Sequence, residues 1–160
     1  MQANTPYKSV VIFDIDGTLA DAEHRRHHLD KTPKDWDSFF AECHADAGIP
    51  QVLQLVSLFY ALKHVVFFTG RSTEHLDMTV TWLSKHTGLA ERVIRERLYM
   101  REAGDRREDS VVKREMLYRF LVNNQDAQIW GVFDDRHSVC QMWVEERVFV
   151  FDVAQGKGHF

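Results

Sequence analysis

The sequence predicts an α/β fold: a central parallel sheet of about five strands with helices on both faces. Three observations point to it. Short apolar runs alternate with amphipathic segments along the chain. The runs are nearly continuous, as in strands covered on both faces, rather than alternating apolar and polar. Three of them end in reactive residues: Asp14-Ile15-Asp16-Gly17-Thr18, Thr69-Gly70-Arg71 and Asp134-Asp135-Arg136. An open parallel sheet gathers ligands beyond the carboxyl ends of its strands, so these residues are expected at one edge.

The elements follow in order. The first strand reads Ser9-Val10-Val11-Ile12-Phe13 and runs into Asp14. Segment 21–48 then breaks the alternation, polar at first and helical later. It is read as a small insertion over the strand ends, a partial cap able to exclude water. Inside it, Thr32-Pro33-Lys34-Asp35 reads as a helix start, with Thr as the cap and Pro in the first turn. Trp36, Phe39, Phe40 and Cys43 recur behind it at helical spacing. Val52, Leu55, Val56, Phe59 and Leu62 form the apolar stripe of the next helix. The second strand, His64 to Phe68, ends at Thr69-Gly70. A helix from Thr73 to His86 stops at Gly88. The third and weakest strand is Arg97 to Met100. Val112, Met116, Leu117, Phe120 and Leu121 mark a helix with Lys113 in its first turn. The fourth strand is Ile129 to Phe133, a short helix carries Val139, Met142 and Trp143, and the last strand is Arg147 to Phe151.

The 160 residues suit a single domain, 1–160, around one core. Repeats and low-complexity stretches are absent from the sequence. Hydrophobic residues make up 44% and charged residues 28%, an ordinary globular composition. Twenty basic residues stand against 24 acidic ones, a net charge of −4. Such a chain has no global attraction to nucleic acid, so any such contact must come from a local basic patch. Two cysteines, Cys43 and Cys140, do not make a disulfide framework and are expected as reduced thiols in helices. No apolar run approaches the ~20 residues of a membrane span, and Met1 to Lys8 lacks the layout of a signal peptide. The expected address is the cytoplasm.

Asp14 and Asp16 are alternate residues on an extended segment, so both carboxylates can face one site. Gly17 allows a close turn and Thr18 offers a hydroxyl. With Asp134 and Asp135 on a neighbouring strand, four carboxylates converge, and they repel one another unless a cation sits among them. Oxygen ligands with room for water and phosphate suit Mg²⁺.

Asp14-Ile15-Asp16-Gly17-Thr18 behind Val-Val-Ile-Phe, Thr69, Lys113 and Asp134-Asp135 together resemble the haloacid-dehalogenase-like phosphatase superfamily. The match covers nearly the whole chain and implies a three-layer Rossmann-like fold with a small helical cap insertion. It implies that Asp14 attacks phosphorus and forms an aspartyl-phosphate. Asp16 would protonate the leaving oxygen and then activate water. Thr69 would donate to a phosphate oxygen, and Lys113 would offset charge on Asp14 and the phosphoryl group. Mg²⁺ would be held by Asp14, the Asp16 carbonyl and Asp134, with Asp135 acting through water.

A narrower resemblance lies in Arg101 to Lys113, in Asp134-Asp135-Arg136 with Val139 and Met142-Trp143, and in Val153-Ala154-Gln155-Gly156. These are similar to the 3′-phosphatase domain of bacteriophage-type polynucleotide kinase-phosphatases. Arg25, Arg71 and Asp109 fall where that family places an Arg after each of its first two motifs and an acid before the Lys. The resemblance implies 3′-phosphates of DNA or RNA ends as substrate, with Thr18, Gly70, Arg101 and Arg107 beside it. A separate kinase or ligase is the implied functional partner. No Gly-x-x-x-x-Gly-Lys-Ser/Thr loop is present, so no kinase domain and no 5′-phosphorylation are expected. Arg25, Arg71, Arg101, Arg106 and Arg107 would form a basic rim, although Arg106 and Arg107 have acids nearby that could pair with them, and Arg71 and Arg101, close to the strand ends, are read as having a substrate or structural role inside the site. Two other readings stay open: a phosphatase of nucleotides or other small molecules, and a non-catalytic module that binds nucleic-acid ends. His24, His27 and His28 are read as a basic, partly exposed lid surface, and Trp36, Phe39 and Phe40 as packing within the cap.

Overall fold

A computed structural model describes residues 8–154. Part of the N-terminal stretch discussed above, and Gln155-Gly156, lie outside them. In chain order the elements are β1 (Lys8–Phe13), β2 (Ala20–Asp21), a 3₁₀ helix (Glu23–His28), α1 (Trp36–Ala41), a 3₁₀ turn (Cys43–Ala45) and β3 (Ala47–Gly48). Then come α2 (Pro50–Leu62), β4 (His64–Ser72), a 3₁₀ turn (Thr73–His75), α3 (Leu76–Thr87), α4 (Glu91–Arg95) and β5 (Leu98–Arg101). The chain continues through α5 (Asp109–Asn123), β6 (Ala127–Asp134), α6 (His137–Glu145) and β7 (Val150–Asp152).

The main sheet has the order β5-β4-β1-β6-β7, and every neighbouring pair is parallel. Residues along β1 alternate between two cores. Val11 and Phe13 join Val52, Val56, Val80 and Leu83 of α2 and α3 on one face. Val10 and Ile12 join Val112, Met116, Phe120, Val139 and Trp143 of α5 and α6 on the other. Burial of each such side chain stabilises the fold by roughly 1.5–3 kcal/mol before entropy is counted. This is the predicted layering of a sheet between helices. β2 and β3 pair antiparallel and form the base from which the insertion leaves the sheet edge.

The differences from the sequence reading are local. The helix in the insertion starts later than expected, because Asp35 rather than Thr32 accepts the capping bond, from the Ser38 amide at 3.1 Å. The last strand lies three residues further on, at Val150–Asp152. Arg147 adopts a left-handed φ of +58°. The Val148 amide reaches back to the Trp143 carbonyl at 2.9 Å, closing α6 with a Schellman-type turn that the bare sequence does not advertise without a glycine. Lys113 lies one turn inside α5, which starts at Asp109. The helix α4 was not predicted. Both cysteines are free and buried, Cys140 in α6 and Cys43 in a 3₁₀ turn. Among the described residues no helix is long and apolar enough to cross a membrane.

Candidate active site

The chain leaves β1 at Phe13 into a tight loop. The Ile15 carbonyl accepts from the amides of Thr18, Leu19 and Ala20, which returns the backbone beneath Asp14. Gly17 sits in this loop at a φ of +86°. A side chain there would meet the Asp135 carboxylate at 2.1 Å, so glycine is what admits Asp135 to the site.

Asp14 divides its two oxygens. Oδ1 accepts from Lys113 Nζ at 2.8 Å, and Oδ2 faces the Thr18 hydroxyl at 3.3 Å. Lys113 also donates to Asp134 Oδ2 at 2.8 Å and lies 3.5 Å from Asp109 Oδ2. Asp134 is held by the Arg136 amide on Oδ1 and by the Trp143 indole on Oδ2. Carboxylate oxygens of Asp14, Asp134 and Asp135 all lie within 4.8 Å of one another. Two strands, β1 and β6, and the helix α5 therefore bring Asp14, Asp134, Asp135 and Lys113 together as the sequence pattern predicts.

The electrostatics of this group favour a bound cation. Burial, joined by repulsion from Asp134, Asp135 and Asp109, raises the proton affinity of Asp14 well above the usual range despite Lys113. Burial and Asp134 push the Asp135 carboxyl up to about 6. Carboxylates with raised proton affinity are under-compensated, and a divalent ion among their oxygens would relieve them. The all-oxygen donor set fits Mg²⁺. Lys113 itself keeps its charge: burial works against it, but Asp134, Asp14 and Asp109 outweigh burial.

Asp16 has a different environment. Arg71 grips it side-on, with Nε 3.1 Å from both oxygens and Nη2 2.6 Å from Oδ1. Arg25, from the insertion, also donates through Nη2 to Oδ1. Burial alone would raise the proton affinity of Asp16, but Arg71 and then Arg25 hold its carboxyl well below the usual carboxylate range. Asp16 thus rests as a charged, clamped carboxylate.

The expected basic rim is not what the structure contains. Arg25 and Arg71 are fully buried and turned onto acids. Arg101 spends its donors on the carbonyls of Gly70, Asp105 and Arg107 and on Asp109 Oδ1, which ties the 102–108 loop to the end of β4. Arg107 is half-exposed and paired with Asp105 and Glu115, the solvated pairing that its acidic neighbours allow. Thr18 is also buried, its hydroxyl between Asp14 Oδ2 and Asp135 Oδ1 at 3.3 and 3.4 Å, bracing acids rather than facing a substrate.

Thr69 accepts the Arg71 amide at 3.2 Å, the strand-end role, and keeps its own proton to donate. Gly70 leaves room for Asp109, whose Oδ1 would lie 2.5 Å from a side chain there. Asp109 is buried and touches both Lys113 and Arg101. The three histidines do not converge: His24 faces Asp46, His27 the His24 carbonyl and His28 Glu42. Phe39 packs inside the insertion with Ala22 and Leu29.

One contributor has no signal in the linear sequence. Asp46, at the end of the insertion, is buried against Arg25 and Arg71. Only the need of two buried guanidiniums for a second acid could have suggested it.

The family described as the polynucleotide kinase PNKP phosphatase domain matches residues 8–158. The chain belongs to that family. Known structures share its fold. A chain of the Pnkp1/Rnl/Hen1 RNA repair complex superposes with a TM-score of 0.75 at 22% identity, over 96% of this chain and 44% of that one. A class C acid phosphatase from Bacillus anthracis gives 0.63 at 17%, over 93% and 68%. A haloacid-dehalogenase-like hydrolase from Streptococcus pneumoniae gives 0.65 at 12%, over 94% and 87%. The chain spans less than half the length of the repair-complex chains that it matches. As a PNKP-type phosphatase domain, it stands among the haloacid-dehalogenase-like phosphatases.

Proposed function

We propose that this domain is a Mg²⁺-dependent phosphomonoesterase that removes 3′-phosphates from polynucleotide ends through an aspartyl-phosphate on Asp14. The observation that carries the reading is the Asp14 carboxylate itself. It lies at the carboxyl end of the central strand with Lys113 on one oxygen and the acids Asp134 and Asp135 alongside. Family membership over 8–158 supports the ester class.

In this reading a carboxylate oxygen of Asp14 attacks phosphorus, and the bond from phosphorus to the sugar oxygen breaks. The leaving oxygen takes a proton from Asp16. Water then attacks the aspartyl-phosphate and gives its proton to Asp16, releasing phosphate and the Asp14 carboxylate. Asp16 rests unprotonated, so it takes its proton from solvent as substrate binds: a phosphate dianion raises the proton affinity of carboxyls beside it and competes for Arg71 and Arg25. Thr69 donates to a phosphate oxygen. Lys113, oriented by Asp109, stabilises charge on the transferring group. Asp14, the Asp16 carbonyl and Asp134 would hold Mg²⁺, with Asp135 through water, and the ion supplies positive charge against the phosphoryl oxygens.

Residues 21–48 act as the cap of a single domain. Beside Gly17, Thr18 and Asp135, a cavity of about 250 Å³ opens under Asp21 and Arg26, between Pro50 and Val153. That volume admits one terminal residue of a polynucleotide rather than a folded duplex. A free mononucleotide would also fit, which keeps the nucleotide phosphatase as the second reading. A separate kinase or ligase would complete repair of the end. Two buried free thiols agree with a cytoplasmic address.

Phosphate release with Mg²⁺ should be compared on a 3′-phosphorylated oligonucleotide, a 5′-phosphorylated one, and free 3′- and 5′-mononucleotides. The 3′-phosphorylated oligonucleotide is expected to be the best substrate. A preference for free 5′-mononucleotides rejects the polynucleotide reading. Asp14→Asn abolishes turnover on every ester, and retained activity would overturn the mechanism.

A further inference from the structure

Asp46 ends the insertion and leads into β3. Its side chain is fully buried and holds more of the site's framework than any other acid outside the Asp14 cluster. Oδ1 accepts from Arg25 Nε at 2.7 Å and faces His24 Nε2 at 2.9 Å. Oδ2 accepts from Arg25 Nη2 at 2.6 Å and from Arg71 Nη2 at 3.0 Å. Its carbonyl accepts the Trp82 indole N–H of α3 at 2.9 Å. One residue is thus tied to the 3₁₀ helix of the insertion, to the end of β4 and to α3.

Both arginines pass from Asp46 to Asp16. Arg71 Nη2 is shared between Asp46 Oδ2 and Asp16 Oδ1. Arg25 Nη2 is shared in the same way. The rest of Arg25 is fixed by the Phe39 carbonyl at 3.1 Å and by the Phe39 ring, 4.0 Å from the guanidinium carbon. The four groups form a charge-balanced ring of two cations and two anions. Arg25 is held through Nε, Nη1 and Nη2, and Arg71 through Nε and Nη2, so both planar guanidiniums have little freedom left and the plane of the Asp16 carboxylate follows where Asp46 holds them.

We propose that Asp46 is a positioning residue for the phosphatase reaction, holding Arg25 of the insertion and Arg71 of β4 as one clamp that orients the Asp16 carboxylate beside Asp14. The proposal rests on the reading above in which Asp16 moves the proton. It explains why an arginine of the insertion reaches the catalytic loop: the insertion supplies one arm of the clamp that aims Asp16. A bland alternative is that Asp46 merely balances two buried cations. The two differ in what they do to the chemistry. A misaimed acid penalises esters whose leaving oxygen needs a proton and spares those whose leaving group departs as a stable anion. A merely structural loss lowers both alike, by lowering the amount of folded protein.

The test uses Asp46→Asn, which keeps the shape but replaces one accepting oxygen with an amide that cannot receive an arginine. First-turnover rates with Mg²⁺ are read on a 3′-phosphorylated oligonucleotide and on p-nitrophenyl phosphate, so that hydrolysis of the aspartyl-phosphate does not enter. The oligonucleotide rate is expected to fall roughly 10–100-fold, part of the 10²–10⁴ that a positioned acid supplies. The p-nitrophenyl phosphate rate should change less than about threefold, and KM for the oligonucleotide should hold within the same factor. Equal losses on both esters, or no loss on either, overturn the proposal. If Asp46→Asn does not fold, Trp82→Phe removes the hydrogen bond to the Asp46 carbonyl together with part of the ring packed on His86 and facing Arg71, and should give the same selective loss, smaller in size. An unselective effect there overturns it equally. Wild-type protein inert toward both esters removes the phosphatase reading, and the proposal with it, which separates that failure from a failure of Asp46 alone.

Discussion

Replacing Lys113 with Met probes whether one cation balances the acidic cluster. The side chain is 1% exposed, and its ammonium lies 2.8 Å from Asp14, 2.8 Å from Asp134 and 3.5 Å from Asp109. At an effective dielectric of about 20, each of the two short contacts is worth roughly 6 kcal/mol of gross attraction. Desolvating the ammonium cancels much of that, and deleting one member of a buried pair leaves a net loss of about 3–5 kcal/mol. For a chain of this size the loss corresponds to a melting point lower by roughly 6–20 °C at pH 7. The sign with pH is fixed. Without Lys113, the proton affinity of Asp14, already raised by burial, climbs further, and Asp109 loses the first of the charges that hold its carboxyl low. Folded protein then takes up protons as the pH falls, and stability returns from pH 7 toward pH 5. Thermal melts of wild type and variant at both pH values, with and without Mg²⁺, measure the gap. It should narrow at pH 5 and narrow with Mg²⁺ at pH 7, while kcat falls at least about 100-fold. A gap under 1 kcal/mol at pH 7, or one that widens at pH 5, refutes the account of the cluster.

Gly17→Ala places a Cβ on the Asp135 carboxylate and strains a left-handed residue by roughly 1–2 kcal/mol, so the Mg²⁺ concentration for half-maximal activity should rise. An unchanged Mg²⁺ titration would show that Asp135 is not tied to the metal. Arg107→Ala keeps the carbonyl that holds Arg101 and removes only surface ion pairs. Melting should shift by less than about 1 kcal/mol, and KM for a 3′-phosphorylated oligonucleotide should stay within about twofold; a tenfold rise would return Arg107 to the substrate. Burial first, then Lys8 and Arg97, lowers the His64 imidazole to about 4. The folded state therefore binds fewer protons than the unfolded one between pH 6.5 and 4, and stability drains away as pH falls through that window. His64→Leu should flatten that slope in melts at a series of pH values, and an unaltered slope counts against the assignment.

The sheet was legible because burial on both faces writes itself into the sequence as unbroken apolar runs, and each reactive strand end followed one. β7 was misplaced because Arg147 closes α6 in a conformation usually left to glycine, so Arg147-Val148-Phe149 looked like strand. Asp14, Lys113, Asp134 and Asp135 were legible because their spacing fits one edge of one sheet. The arginines were legible only in part: Arg71 and Arg101 were read as inside the site, but the acids and carbonyls that they hold were not. A guanidinium reads the same in sequence whether it faces a substrate or an acid of its own chain, and its direction depends on a partner dozens of residues away.

That ambiguity changes what the site is. With Arg25, Arg71 and Arg101 committed inward, substrate is not gathered by a positive rim, which suits a chain of net charge −4. Charge complementarity must instead come from the reacting centre, where under-compensated carboxylates and Lys113 await a cation and a phosphate together. Binding and chemistry then draw on the same groups, so charge-removing substitutions at the centre should lower kcat rather than weaken binding alone. The clamp on Asp16 adds a second consequence. In the proposed mechanism, an acid held by two arginines is a poor proton donor until a phosphate competes for them, so Asp16 would take up its proton only when there is an ester to cleave. Selectivity in that mechanism would depend on the insertion, because residues 21–48 supply Arg25, one of the two arginines on Asp16.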